Sequence, residues 1–499
     1  MARLRVPPVS PSPLVPGWRP VTPSPLAPAW PQCLPSPGAG LSPARPLHLF
    51  LPTHPAPGLP AGAPAVLMVS LEGLVAAAVV LTCLLAWCFW GGRLEAPGDR
   101  REEEEGIPFI TEDGSGCCRL LCKPSALAQH LVRSLGRSAA LQGGRWLWPR
   151  WPQLQMLRQL LQLPHPEPSV SRELLQMPDT GLVALDWLVG ARKTRSCSSG
   201  GGPSSVLLLI PNAAGKVTGG LLQLGLRALE QGFIPVIFNR RGHNGCPLTT
   251  PRLQPFGDPG DLREAVTYLR CRHPGASLLA VSEGSGSGLL LAYLGESGSS
   301  SHLAAAACIS PIFRGRDWFE AGMPWLYEWP LLLHLKRGLS RYVGSLAEVM
   351  DVDVLLSSRS LRELEEALFC RTKSHPTSWE TYWERNEPLR DADEAAVPVL
   401  CLCSTDDPVR GPPVPSLPLE LFRTSPYFFL LLTPWGGHCG FPQQGPRCCW
   451  GHEAVLEYFR AMGEFLRAEE RRKGLAWPRR VGGPIVEPPL FTWQRSYTR

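Results

Sequence analysis

Charge is scarce in this chain, and what there is does not cluster. Only 18% of the 499 residues are Asp, Glu, Lys or Arg, and the net charge of +6 is spread along the sequence. No basic block interleaved with aromatics occurs, so the footprint of a nucleic-acid-binding surface is missing and no nucleic-acid partner is expected. The sixteen cysteines include no pair at C-x-x-C spacing, which removes the paired thiolates that a structural zinc site needs. They lie mostly inside apolar runs, as Cys308 and Cys401 do, and read as buried or free thiols. No metal or other cofactor is expected.

What is present divides the chain. Residues 1–67 are proline-rich with hardly any charge, and hold too little apolar periodicity to offset the entropy of ordering. They read as a leader without a packed fold, and Met68 offers an alternative start. Leu74 to Trp90 is an uncharged run of seventeen residues, at the lower edge of the roughly 17–25 that cross a bilayer. Trp87 and Trp90 suit an interface, so residues 68–92 are expected to be a signal or anchor segment. Arg93, Arg100 and Arg101 follow it, while the nearest upstream basic residue is Arg45. That asymmetry places the downstream chain on the cytoplasmic side of the endoplasmic reticulum or another endomembrane, with secretion after cleavage as the alternative. Residues 93–145 read as a linker and an N-terminal helical region.

Short apolar runs then alternate with helical patterns. Gly181–Trp187, Ser205–Ile210, Phe233–Phe238, Ser277–Val281, Leu303–Ile309, Val397–Cys403 and Tyr427–Thr433 read as strands. Asp261–Arg270, Leu289–Leu294, Leu361–Phe369 and Glu453–Glu470 read as helices. The alternation predicts an α/β fold over 146–472, a mostly parallel sheet with helices on both faces and its site at the carboxyl ends of the strands. Residues 314–396 break the alternation and are rich in aromatics, which predicts a helical insertion. Residues 473–499 form a tail.

Four strand ends carry distinctive residues. Pro211-Asn212-Ala213-Ala214-Gly215 follows one strand, and Asn239 to Leu248 follows the next. Thr405-Asp406-Asp407-Pro408 and Gly436-Gly437-His438-Cys439-Gly440-Phe441 end the last two. Between these, Leu278 to Gly288 has the outline of a strand–turn–helix that mounts a nucleophilic serine, yet no window reads G-x-S-x-G.

Together these segments resemble the lipid-esterase branch of the α/β-hydrolase superfamily called the AB hydrolase 4 family, from about Trp148 to Glu470. The resemblance implies an α/β-hydrolase fold in which 314–396 is a lid. It also implies a triad in the order Ser, Asp, His, with the acid at Asp407, directly before the proline, and the base at His438. Asp406 is the alternative acid, while His243 and His302 read as loop and strand-edge residues. Counted back without gaps from Leu289, the family's serine falls on Gly284. Two rescues stand beside that reading. Ser282 lies in an A-x-S-x-G variant two residues early, and Ser285 stands one residue past the tip. The oxyanion loop differs too, with Asn212 in place of the family's first glycine.

Two functions follow as expectations. One is a membrane-associated hydrolase-fold protein that has lost its nucleophile and acts by binding a lipid or acyl ester, or a regulatory protein partner, in lipid metabolism. The other is an active serine esterase or acylglycerol lipase using Ser282 or Ser285 with His438 and Asp407.

Overall fold

Several strands of this protein are continuous apolar runs, because both of their faces are covered. Ser205–Ile210 (β5), Leu303–Ile309 (β8), Val399–Ser404 (β9) and Phe428–Thr433 (β10) are buried almost throughout. The computed structural model describes residues 107–110, 117–138, 141, 169–189, 205–412, 416–441 and 449–473. The leader, the 68–92 segment and the tail from residue 474 lie outside them.

The remaining strands are Ile107–Ile110 (β1), Cys117–Leu121 (β2), Ser169–Gln176 (β3), Leu182–Val189 (β4), Phe233–Asn239 (β6) and Ser277–Glu283 (β7). They form one sheet in the order β1-β2-β10-β9-β8-β7-β5-β6-β4-β3. From β6 to β10 every pairing is parallel. The flanks are antiparallel, with β4 between β6 and β3, and β2 between β10 and β1. The sheet is thus mostly parallel with helices on both faces, as expected, and the two antiparallel ends are the addition. β1 and β2 lie within the 93–145 stretch read as linker and helix, whose helix is Ala126–Leu135 (α1).

Neighbouring residues along a strand point to opposite faces, and the two apolar layers follow that rule. Leu207, Leu209, Leu279 and Val281 face Leu221 and Leu224 of Gly219–Glu230 (α2), together with Trp450, Tyr458 and Phe459 of the long C-terminal helix. Val206, Leu208, Leu278 and Ala280 face Leu262 and Val266 of Gly260–Arg272 (α3) and Leu289 and Tyr293 of Ser287–Ser297 (α4). Each fully buried leucine contributes about 1.5–3 kcal/mol, so the central strands hold the carboxyl-end loops on a rigid platform.

Between β8 and β9 the chain forms six helices: Gly315–Ala321 (α5), Trp325–Leu339 (α6), Val343–Leu346 (α7), Val352–Ser357 (α8), Leu361–Phe369 (α9) and Trp379–Asn386 (α10). Two groups of their aromatics differ sharply in exposure. Trp318, Phe319, Trp379, Tyr382 and Trp383 interlock around Phe256, with ring centroids 4.9–6.2 Å apart. Those rings pack the insertion onto the loop between β6 and α3 that carries Phe256. Trp325 and Trp329, one turn apart on α6, stay 73% and 62% exposed. Leu419–Thr424 (α11) and Trp450–Arg472 (α12) complete the chain order. Among the described residues no helix is long and apolar enough to cross a membrane, and the Leu74–Trp90 run lies outside them.

Candidate active site

Strand β7 ends at Glu283, and the chain then turns sharply through a short helical turn, Gly284–Gly286, into α4. Gly284 sits in the left-handed region at φ +54°, which glycine reaches without the penalty a side chain carries. A Cβ at Gly286 would lie 2.2 Å from the Pro211 carbonyl oxygen, so only glycine lets the turn pack against the end of β5. The tip of the turn is therefore Gly284.

His438 and Asp407 meet at this tip. Asp407 follows β9 and His438 follows β10, so adjacent parallel strands deliver them side by side. Nδ1 of His438 lies 3.1 and 3.0 Å from Oδ1 and Oδ2 of Asp407, whose side chain is fully buried. Oδ1 also accepts the backbone N–H groups of Val409 and Arg410, at 2.9 and 3.1 Å. Burial alone would raise the Asp407 carboxyl. The His438 charge and hydrogen bond, with Arg410, outweigh it and set it below the usual carboxylate range. Burial likewise pushes His438 down, and the Asp407 charge more than reverses this, holding the imidazole well above its ordinary value.

Asp406 does a different job. Its Oδ1 accepts the N–H groups of Gly436 and Gly437 at 3.0 and 2.8 Å, so it shapes the loop that presents His438.

A Cβ built on Gly284 would stand 2.8 Å from Nε2 of His438. The position thus faces the ring nitrogen opposite the one Asp407 holds, which is the geometry a nucleophile needs. The candidate serines do not take that place. Ser282 lies within β7, paired with Ile210 and Cys308, and its buried hydroxyl has no hydrogen-bond partner. Ser285 Oγ accepts the Ala213 N–H at 3.0 Å, so it faces the 211–215 loop. One backbone donor of that loop is already satisfied, and the Asn212 side-chain oxygen beside it is buried without a partner.

Two further groups stand at the site that motif reasoning missed. Glu283, directly before the tip, is buried and accepts from the Thr218 hydroxyl at 2.5 Å. Burial raises its carboxyl, while Thr218 and the His438 charge only partly offset this. Cys439, directly after His438, has φ +59°, donates its N–H to Ser310 Oγ at 2.9 Å and points its thiol toward the Ile309 carbonyl at 3.6 Å. Sγ of Cys439 lies 3.9 Å and Nε2 of His438 2.8 Å from the position of a Cβ at Gly284, so the two border the same space. The adjacency of Cys439 to His438 in Gly437-His438-Cys439-Gly440 was the available signal. Among the described residues no group of His, Cys, Asp and Glu side chains is arranged to hold a metal ion.

No family model matches the chain. Among individual proteins, the yeast (Saccharomyces cerevisiae) monoacylglycerol lipase is 24% identical over 260 residues, which cover 49% of this chain and 57% of that protein. Mouse phospholipase ABHD3 is 30% identical over 300 residues, 59% of this chain and 72% of its own. Human protein ABHD15 is 53% identical over 462 residues, spanning 85% of this chain and 99% of its own length. The relatives thus include lipid hydrolases. With a sheet that turns at Gly284 and brings an aspartate and a histidine to that turn, and with this identity over nearly its whole relative, the chain belongs to the AB hydrolase superfamily, in the same family as protein ABHD15.

Proposed function

We propose that this protein is a membrane-associated hydrolase-fold protein that binds an acyl lipid, or a regulatory protein partner, in lipid metabolism without serine-dependent turnover. The observation that carries the reading is Gly284. It occupies the tip of the turn facing Nε2 of His438 and has no atom that can attack an acyl carbon. A complete triad loses roughly 10⁶ in kcat when its serine is removed, which leaves negligible ester hydrolysis. The Ala213 N–H, already bound by Ser285, weakens what remains, because an oxyanion donor acts only when it is open to the developing charge.

The second reading is an active serine esterase or acylglycerol lipase. The retained Asp407–His438 pair favours it, since a pure binder has no chemical need of an oriented base. Ser285 would have to leave Ala213 and turn toward His438, and Ser282 would have to leave the strand register.

A fluorophosphonate probe separates the two. Wild-type protein is expected to stay unlabelled, as are Ser282→Ala and Ser285→Ala, while Gly284→Ser gains labelling. Wild-type labelling that either alanine change abolishes would falsify the binding reading.

A further inference from the structure

We infer that Cys439 is the nucleophile this site retains, and that it takes an acyl group from a fatty-acyl thioester with His438 as general base. The inference deepens the binding reading above, on which it rests for the acyl chain and for the vacant tip of the turn.

Three observations converge on this sulfur. Its Sγ lies 3.9 Å from the position of a Cβ at Gly284, so it borders the space a serine side chain would fill. Nε2 of His438, on the ring whose Nδ1 Asp407 holds, lies 2.8 Å from the same Cβ position, so sulfur and imidazole border one space. Its backbone stands at φ +59°, a conformation that L-residues rarely adopt, fixed by the bond from its N–H to Ser310. The side chain is half-buried rather than sealed. Burial raises the thiol and the His438 charge only partly offsets that, so the sulfur rests protonated.

A sulfur nucleophile selects its substrate. From a tetrahedral intermediate the better leaving group departs, and an alkoxide departs far less readily than a thiolate, so oxygen esters return the acyl group whereas thioesters pass it on. In the exchange, the neutral form of the imidazole takes the Sγ–H proton at Nε2, the Sγ–acyl bond forms, the donor's acyl–sulfur bond breaks, and the leaving thiolate takes the proton back from Nε2. Nothing is oxidised or reduced.

The test uses the full chain in detergent with the palmitoyl thioester of N-acetylcysteamine, read by peptide mass spectrometry with hydroxylamine reversal. Exposed Cys271 is the internal control. Cys439 is expected to acylate at least tenfold faster than Cys271. His438→Ala should slow Cys439 by about 100-fold, the usual worth of a positioned base, and leave Cys271 unchanged. Equal rates at the two cysteines in the wild type, a comparison that needs no variant, overturn the proposal, as does an unchanged Cys439 rate in His438→Ala. A failed thioester arm with no fluorophosphonate labelling removes the role of Cys439 and leaves the binding reading standing. Serine labelling instead overturns the reading on which both rest.

Discussion

Asp406 and Asp407 are adjacent carboxylates with different energetic meanings. Asp407 faces the His438 ring without solvent, so replacing it by Asn removes the counter-charge of a buried base. Losing one partner of such a pair costs about 3 kcal/mol, because the other charge is left uncompensated. Asp407→Asn is therefore expected to lower the urea midpoint by that equivalent and to bring the His438 titration, followed by NMR, down toward or below the ordinary imidazole value. Asp406→Asn keeps an oxygen for the Gly436 and Gly437 N–H groups and should cost much less. Equal losses in the two variants would show that the loop, not the charge pair, is the source of the effect. Gly284→Ser adds a penalty of its own. At φ +54° a side chain costs of order 1–3 kcal/mol, and His438 must withdraw a few tenths of an ångström to admit the new Cβ. The variant that gains probe labelling should thus melt earlier than wild type in a thermal scan.

Among the elements, the parallel strands were legible because burial on both faces leaves an uninterrupted apolar run, as in Val206-Leu207-Leu208-Leu209-Ile210. The antiparallel flanks were not. Strand direction leaves no mark on periodicity, and β3 mixes Ser, Arg, Glu and Gln with three apolar residues because it is an exposed edge. At the site, the order of Asp407 and His438 was legible, since both follow strands and are fixed by sequence motif. The roles of Ser285 and Cys439 depend on where side chains point around tight turns, which spacing does not encode. The insertion adds a titrating contact of the same hidden kind. Glu365 on α9 hydrogen-bonds the Tyr382 hydroxyl on α10, which in turn receives the Phe256 N–H at 3.2 Å. Burial pushes the Glu365 carboxyl up to about 7, with Tyr382 and Arg240 only partly offsetting it. A carboxyl raised in the folded state favours folding while it is protonated. Its contribution is complete below the ordinary value of 4.5 and is lost as pH rises to about 7. Thermal midpoints are expected to fall across that window in the wild type, and Glu365→Gln should flatten the profile. An unchanged slope in the variant would assign the pH dependence to other groups.

At the scale of the whole molecule, a sheet that carries the site and an uncharged run far upstream of it in sequence raise the question of which segment would meet a lipid surface. We propose that the run from Leu74 to Trp90 is the anchor, on its length and its flanking Arg93, Arg100 and Arg101. The exposed Trp325 and Trp329 on α6 are a weaker alternative, because two interfacial rings without a spanning segment give reversible attachment. Deleting residues 68–92 separates the two. If the run is the anchor, the protein moves from the membrane pellet to the supernatant on carbonate extraction, and Trp325→Ala with Trp329→Ala changes nothing in the full chain. Retention of the deleted protein on membranes, lost only when both tryptophans are replaced, would transfer the role to the insertion. That outcome would also bring the membrane to the insertion between β8 and β9, so acyl donors would reach the site from the bilayer rather than from solution. The thioester assay repeated with and without phospholipid vesicles reads this directly, as a rise in the Cys439 acylation rate that the two tryptophan changes remove.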